Sequence, residues 1–148
     1  MIMSRTESLI YKSTRGQSKN LYFKDVIFEG LATDGGLYIP NKWPELSKQL
    51  IESFRSMTYQ QIAFHVFKPY IDESLSDDIL KEIIEDSYKC FSHNEITPLN
   101  KINNNEYLLE LFHGPTYAFK DIAMQFISRL MNYYLTKEKT SINILGAT

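Results

Sequence analysis

The apolar segment YLLELF, residues 107–112, runs through a Gly114-Pro115 turn into DIAMQFISRLMNYYL, residues 121–135. In the second segment Ile122, Ala123, Phe126, Ile127, Leu130 and Tyr134 recur at helical spacing, which predicts an amphipathic helix with those side chains inward. A further apolar stretch, SINILGAT at 141–148, follows a short polar link. Strand, helix and strand in that order predict a parallel βαβ unit, because a parallel pairing needs a crossover of that length. Such a unit requires neighbouring strands on both sides. The chain is therefore expected to be the front portion of a longer protein, with YLLELF and SINILGAT as buried strands.

The residues before this unit have a different texture and predict an α+β domain over 1–92, with 93–148 as the first, incomplete part of a parallel α/β domain. SLIYKST (8–14) reads as a short strand. NLYFKDVIFEGL (20–31) reads as a helix, from the spacing of Phe23, Val26, Ile27 and Leu31. Asp34-Gly35-Gly36 predicts a tight turn into a strand over Leu37–Ile39 that Pro40 ends. Three helices are expected next. The first lies around 46–56, and the second starts at Thr58, where Gln61 completes a capping box, and buries Ile62, Ala63, Val66 and Phe67. The third is introduced by Ser76, with Asp77 and Asp78 in its first turn and a buried stripe of Leu80, Ile83, Ile84 and Phe91. EITPLNKI (95–102) is then extended and NNNE (103–106) a turn.

Composition narrows the functional classes. A formal net charge of -2 over 148 residues, with the basic residues scattered, argues against a nucleic-acid partner or an anionic membrane surface. No apolar run approaches the length of a bilayer span. The single cysteine, Cys90, has no internal disulfide partner, which points to a reducing compartment and to the cytoplasm. His65, His93 and His113 show no ligand spacing, so no metal site is predicted.

Lys120 is the residue that bulk patterning does not explain. It falls where the apolar strand and Gly-Pro turn hand over to the helix, between Phe119 and Asp121. The positive end of the helix dipole disfavours a cation there by roughly 0.3–1 kcal/mol. Aromatic neighbours that shed water act in the same direction. Both effects favour a neutral amine, as needed for a Schiff base with a carbonyl cofactor. The same helix start is also a suitable seat for a phosphate. The alternative is a lysine whose stem lies over Phe119 and whose ammonium reaches water.

The segment LFHGPTYAFKD resembles the pyridoxal-phosphate (PLP) lysine motif of threonine synthases of the long bacterial and fungal type. YKSTRG and EGLATDGGLYIP are similar to that family's opening segments, in the same order, and ILGAT to the strand that leads into its Thr-Ser-Gly-Asp-Thr-Gly loop. These segments, in register, carry the resemblance over essentially the whole chain. It implies a fold of the tryptophan-synthase-like class and a PLP-dependent lyase that converts O-phospho-L-homoserine and water to L-threonine and phosphate. By the same resemblance Lys120 would bind the cofactor covalently and later act as general acid/base, with Phe119 and His113 lining the cofactor. Thr148 would begin the loop for the substrate carboxylate, and Arg15 would reach the substrate phosphate. Tyr117 departs from the family's Leu. The rest of the carboxylate loop, the glycine-rich phosphate-gripping segment and the partner of the pyridine nitrogen are absent, so the chain alone is expected to be inactive. Two rival readings stay open: a phospholyase of the same family, and a folded fragment without catalytic function. An unpaired sheet edge left by truncation would favour self-association.

Three further features read as structural. Asp121 suits the positive helix start. Arg15 and Gly16 could pin the N-terminal segment instead of meeting a phosphate. TDGG lacks the following Lys-Ser/Thr pair of a phosphate loop and reads as a turn.

Overall fold

The structure is a computed structural model that describes residues 9–71, 73 and 75–146. It combines short antiparallel sheets with helices, and the chain divides into two compact units, Met1–Glu82 and Ile83–Thr148.

In the first unit, β1 (Ile10–Ser13) is the central strand of a three-stranded antiparallel sheet. It lies between β2 (Leu21–Tyr22) and β3 (Tyr38–Pro40). Tyr11 faces Leu21 on one side and Pro40 on the other. The helix expected over 20–31 is shorter than its apolar spacing suggests. Leu21 and Tyr22 pair with β1, and α1 covers only Phe23–Glu29. Gly30 ends it at φ 70, a left-handed backbone that glycine adopts at little cost, and Leu31 lies beyond it, exposed. Pro40 does not end β3 but belongs to it. Its missing N–H is tolerated because β3 is an edge strand.

The helices follow their caps. α2 (Lys48–Ser53) starts at Ser47, whose hydroxyl accepts from Leu50 N, and runs into a 3₁₀ turn at Phe54–Ser56. α3 (Tyr59–Phe67) has the expected capping box: Gln61 N donates to Thr58 Oγ1 at 3.2 Å, and Thr58 N to Gln61 Oε1 at 2.9 Å. Of its predicted inward residues, only Ala63 is fully buried. α4 (Asp77–Tyr88) carries Asp77 and Asp78 in its first turn. Among the described residues of the first unit, the apolar core consists of Tyr11, Leu21, Ala32, Ala63, Ile71, Leu75 and Leu80.

In the second unit Ile83, Ile84 and Tyr88 form a core with Ile96, Phe126, Leu130 and Tyr134. Phe91, expected in the same stripe, lies past the helix end and is half-buried, its ring 5.6 Å from that of Tyr88. The last of these core residues come from α5 (Asp121–Glu138). Phe126, Leu130 and Tyr134 recur every fourth residue, so the buried stripe is narrower than predicted, and Ala123 and Ile127 are exposed. Polar groups tie the same layer together. Ser87, wholly buried, donates to Ile83 O at 2.6 Å, and Tyr88 Oη donates to Ile122 O at 3.1 Å.

The predicted parallel pairing of 107–112 with 141–148 is not formed among the described residues. β5 is only Tyr107–Leu109, is exposed, and pairs antiparallel with β4 (Leu99–Lys101) across the 102–106 turn. Residues 141–146 form no strand, and Ile144 and Leu145 are exposed. The crossover helix α5 is formed, but Tyr107–Leu109 pair with the sequence-adjacent β4, which a short hairpin loop brings alongside. Among the described residues, no helix is long and apolar enough to cross a membrane.

Candidate functional site

The turn between β5 and α5 is built outward from two carboxylates. Glu110 N donates to Pro98 O at 3.0 Å and so continues the hairpin register. Its side chain accepts from Asn100 Nδ2 at 2.7 Å and meets His113 Nε2 at 2.6 Å. A carboxylate only accepts, so Nε2 carries the shared proton. The hydrogen bond from His113 holds the Glu110 carboxyl below its ordinary value; burial opposes this, and Asn100 assists it. The His113 carbonyl accepts from Ser92 N at 2.9 Å, and the His93 ring lies 5.1 Å from the His113 ring.

Asp121 is the second carboxylate. It is buried, with Oδ2 accepting from Thr116 N and from Thr116 Oγ1, each at 2.8 Å. Gln125 Nε2 approaches its other oxygen at 3.4 Å. Burial acts to raise this carboxyl, but the hydrogen bonds from Thr116 and Gln125 outweigh it, and the pKa lies below the ordinary value. Gly114 makes room for the arrangement. A Cβ there would lie 2.6 Å from Asp121 Oδ2 and closer still to the Asp121 Cβ. Tyr117 then takes φ 59, a left-handed conformation, with its N–H donating to Gly114 O at 3.1 Å.

Lys120 stands at the N-cap of α5 with φ -62 and ψ -23, and its carbonyl accepts from Met124 N at 2.8 Å. Its side chain is exposed, and among the described residues no carboxylate is paired with its amine. Among the described residues, Phe119 and Tyr117 do not supply the apolar shielding expected of them. Phe119 is 63% exposed and Tyr117 78% exposed, because both project from the turn away from the core that Phe126 begins. Lys120, Phe119 and His113 therefore share one ordered turn.

Arg15 lies in the other unit, in a loop organised by Asp34. Asp34 accepts from Ser13 Oγ at 2.7 Å, Gln17 N at 2.9 Å and Gly36 N at 2.9 Å. The Ser13 hydrogen bond leads in lowering its pKa to about 2; burial opposes it, and the Gly36, Gln17 and Ser18 bonds add to it. Arg15 Nη1 donates to Asp34 O at 2.9 Å, so its guanidinium is engaged with its own loop. Thr148 lies outside the described residues. Among the described residues, no group of three or more His, Cys, Asp or Glu side chains is placed to hold a metal ion.

Glu110 and Thr116 emerge only here as residues that organise the turn. The signal for Glu110 was its position three residues before His113. It was obscured because ELF reads as the end of a buried strand.

An exposed amine with no ion-pair partner among the described residues, on a turn whose hydrogen bonds converge on the buried Asp121, is compatible with a covalent anchor for PLP. The fit concerns the anchor alone. Residues 10–88, more than half of the chain, match the family model described as threonine synthase N terminus. The chain is 45% identical over 138 residues to threonine synthase of Pseudomonas aeruginosa, covering 93% of this chain and 29% of that protein. A PLP-bound threonine synthase from Brucella melitensis superposes with a TM-score of 0.86 at 39% identity, over 89% of this chain and 28% of that one. Yeast threonine synthase superposes with a TM-score of 0.84 at 40% identity, over 93% and 28%. The chain thus spans less than a third of the length of these relatives, and it belongs to the threonine synthase family.

Proposed function

We propose that the chain is the lysine-bearing part of a PLP-dependent threonine synthase that converts O-phospho-L-homoserine and water to L-threonine and phosphate in the cytoplasm. One observation supports this above the others: Lys120, exposed and without an ion-pair partner among the described residues, sits at the N-cap of α5 on a turn held by Asp121 and Thr116. When bound, PLP supplies an electron sink for carbanions next to its attachment point. The Lys120 amine would be the group that holds PLP, and its Nζ would be the atom at which this chain holds or moves a proton. Phe119 and His113 contribute the wall next to it. Thr148 contributes to the substrate carboxylate site, and Arg15 to recognition of the substrate phosphate by its free guanidinium edge. The division into an N-terminal domain, 1–92, and a lysine-bearing segment, 93–148, belongs to the same reading. Self-association through the open edges of the β4–β5 hairpin does too, supported by the exposed Leu99, Leu108 and Leu109. Sedimentation that stays monomeric over a wide concentration range contradicts this last part.

The test is a chimera in which residues 1–148 replace the matching part of Pseudomonas aeruginosa threonine synthase. It should release phosphate and threonine together from O-phospho-L-homoserine, and Lys120→Ala should release neither. Phosphate without threonine would favour the phospholyase reading. An active Lys120→Ala chimera would exclude Lys120 from the chemistry.

A further inference from the structure

The Asp121 carboxylate faces away from solvent, directly after a lysine whose side chain faces into it. Only 4% of Asp121 is exposed, although a carboxylate at a helix start satisfies the dipole equally well on the surface. Burial of a charge is offset only where the charge is well hydrogen-bonded, and here three donors converge on it: Thr116 N, Thr116 Oγ1 and Gln125 Nε2. Two of the three come from the turn that precedes Lys120. That turn also holds Tyr117 at φ 59, a left-handed conformation that is unfavourable for a residue with a Cβ. Gly114 is buried against the same carboxylate and admits no Cβ. A turn with an unfavourable residue conformation, closed on a buried charge, persists only when its surroundings over-determine it.

We propose that Asp121 is a positioning residue for Lys120: with Thr116 and Gly114 it clamps residues 114–120 in one conformation, so that the lysine is delivered to its working place before any ligand arrives. Thr116 supplies both donors to one carboxylate oxygen, Gly114 supplies the space, and Asp121 closes the turn onto the first residue of α5. The lysine side chain keeps its freedom to react while its backbone loses its freedom to move. A reactive group held this way avoids the ordering cost at the moment of binding. Glu110 and His113 pair with each other at the upstream end of the same turn. The functional meaning of the clamp rests on the reading of Lys120 as the cofactor lysine; its existence does not.

The test is nuclear magnetic resonance on the full 148-residue chain, in the parent and in the Thr116→Val, Thr116→Ser and Asp121→Asn variants. Thr116→Val removes one donor from a partly exposed side chain and leaves the core intact, which covers the case in which Asp121→Asn fails to fold. In the parent, the amides of 116–120 should show order parameters near ~0.85, the value of rigid backbone. In Thr116→Val and Asp121→Asn they should fall towards ~0.6, with the amides of Phe126 and Leu130 unchanged. Thr116 amide exchange should rise by roughly ten- to a hundredfold in Asp121→Asn, the equivalent of one hydrogen bond to a charged group. Thr116→Ser, which keeps the hydroxyl, should restore the parent behaviour. A turn already mobile in the parent, or unchanged order parameters in both variants, would overturn the proposal. If the order parameters behave as expected while the cofactor attaches to another lysine, the reading of Lys120 fails and the clamp stands.

Discussion

His113 Nε2 and Glu110 Oε2 lie 2.6 Å apart, just past the end of β5 in the segment that leads to Lys120. The imidazole and the carboxylate fix each other, and Asn100 fixes the carboxylate to β4. The Glu110 pKa is lowered, first by the hydrogen bond from His113. A group whose pKa is depressed on folding contributes stability that is present above its ordinary value, 4.5 for glutamate, and lost as pH falls through the lowered value. His113→Ala should therefore flatten the acid limb of the stability profile below about pH 4.5. Denaturant melts of parent and variant from pH 7 to pH 2 read this directly; identical slopes would show that the pair is not coupled to folding.

Asp34 makes a sharper statement in the first unit. Its pKa of about 2, against an ordinary 3.8, means that its contribution is complete above 3.8 and disappears only as pH approaches 2. Asp34→Asn should lower the melting temperature at neutral pH, and the difference from the parent should vanish near pH 2. Arg15→Ala, which removes the bond to Asp34 O, should lower it by a smaller amount without this pH dependence.

The core of the second unit predicts a large and local cost. Leu130 is 1% exposed in the stripe that α5 turns inward. Leu130→Ala should destabilise by ~2–5 kcal/mol in denaturant melts. Ile127→Ala, on the exposed face of the same helix, should change stability far less.

The capping box of α3 predicts a smaller one. Thr58→Ala removes the acceptor for Gln61 N and should destabilise by ~1 kcal/mol, whereas Thr58→Ser should be nearly neutral. Gly114→Ala, by contrast, forces a Cβ into Asp121 and should cost ~1–3 kcal/mol.

Local signals were legible in the sequence wherever one short stretch carries both partners. Thr58 and Gln61 are three residues apart, Asp77 and Asp78 open α4, and the four-residue recurrence of Phe126, Leu130 and Tyr134 marks α5. Partners far apart were not legible. The role of Asp34 depends on Ser13, 21 residues earlier, and that of Glu110 on Asn100, 10 residues earlier, across a hairpin. The β4–β5 pairing was missed because YLLELF is apolar enough to read as a buried strand, although Tyr107, Leu108 and Leu109 are exposed. Periodicity reports which side chains would prefer burial, not whether a neighbour is present to bury them. The position of Lys120 at the start of α5 was legible, but the exposure of Tyr117 and Phe119 could not be read from their being aromatic.

The role of Lys120 is read most directly from the site of cofactor attachment in the chimera that carries residues 1–148. The purified protein is treated with borohydride, digested and mapped by mass spectrometry. One reduced pyridoxyl adduct per chain is expected, at Lys120, together with loss of the visible band and of the adduct in Lys120→Ala. An adduct at any other lysine, or an unchanged visible band in Lys120→Ala, would contradict it.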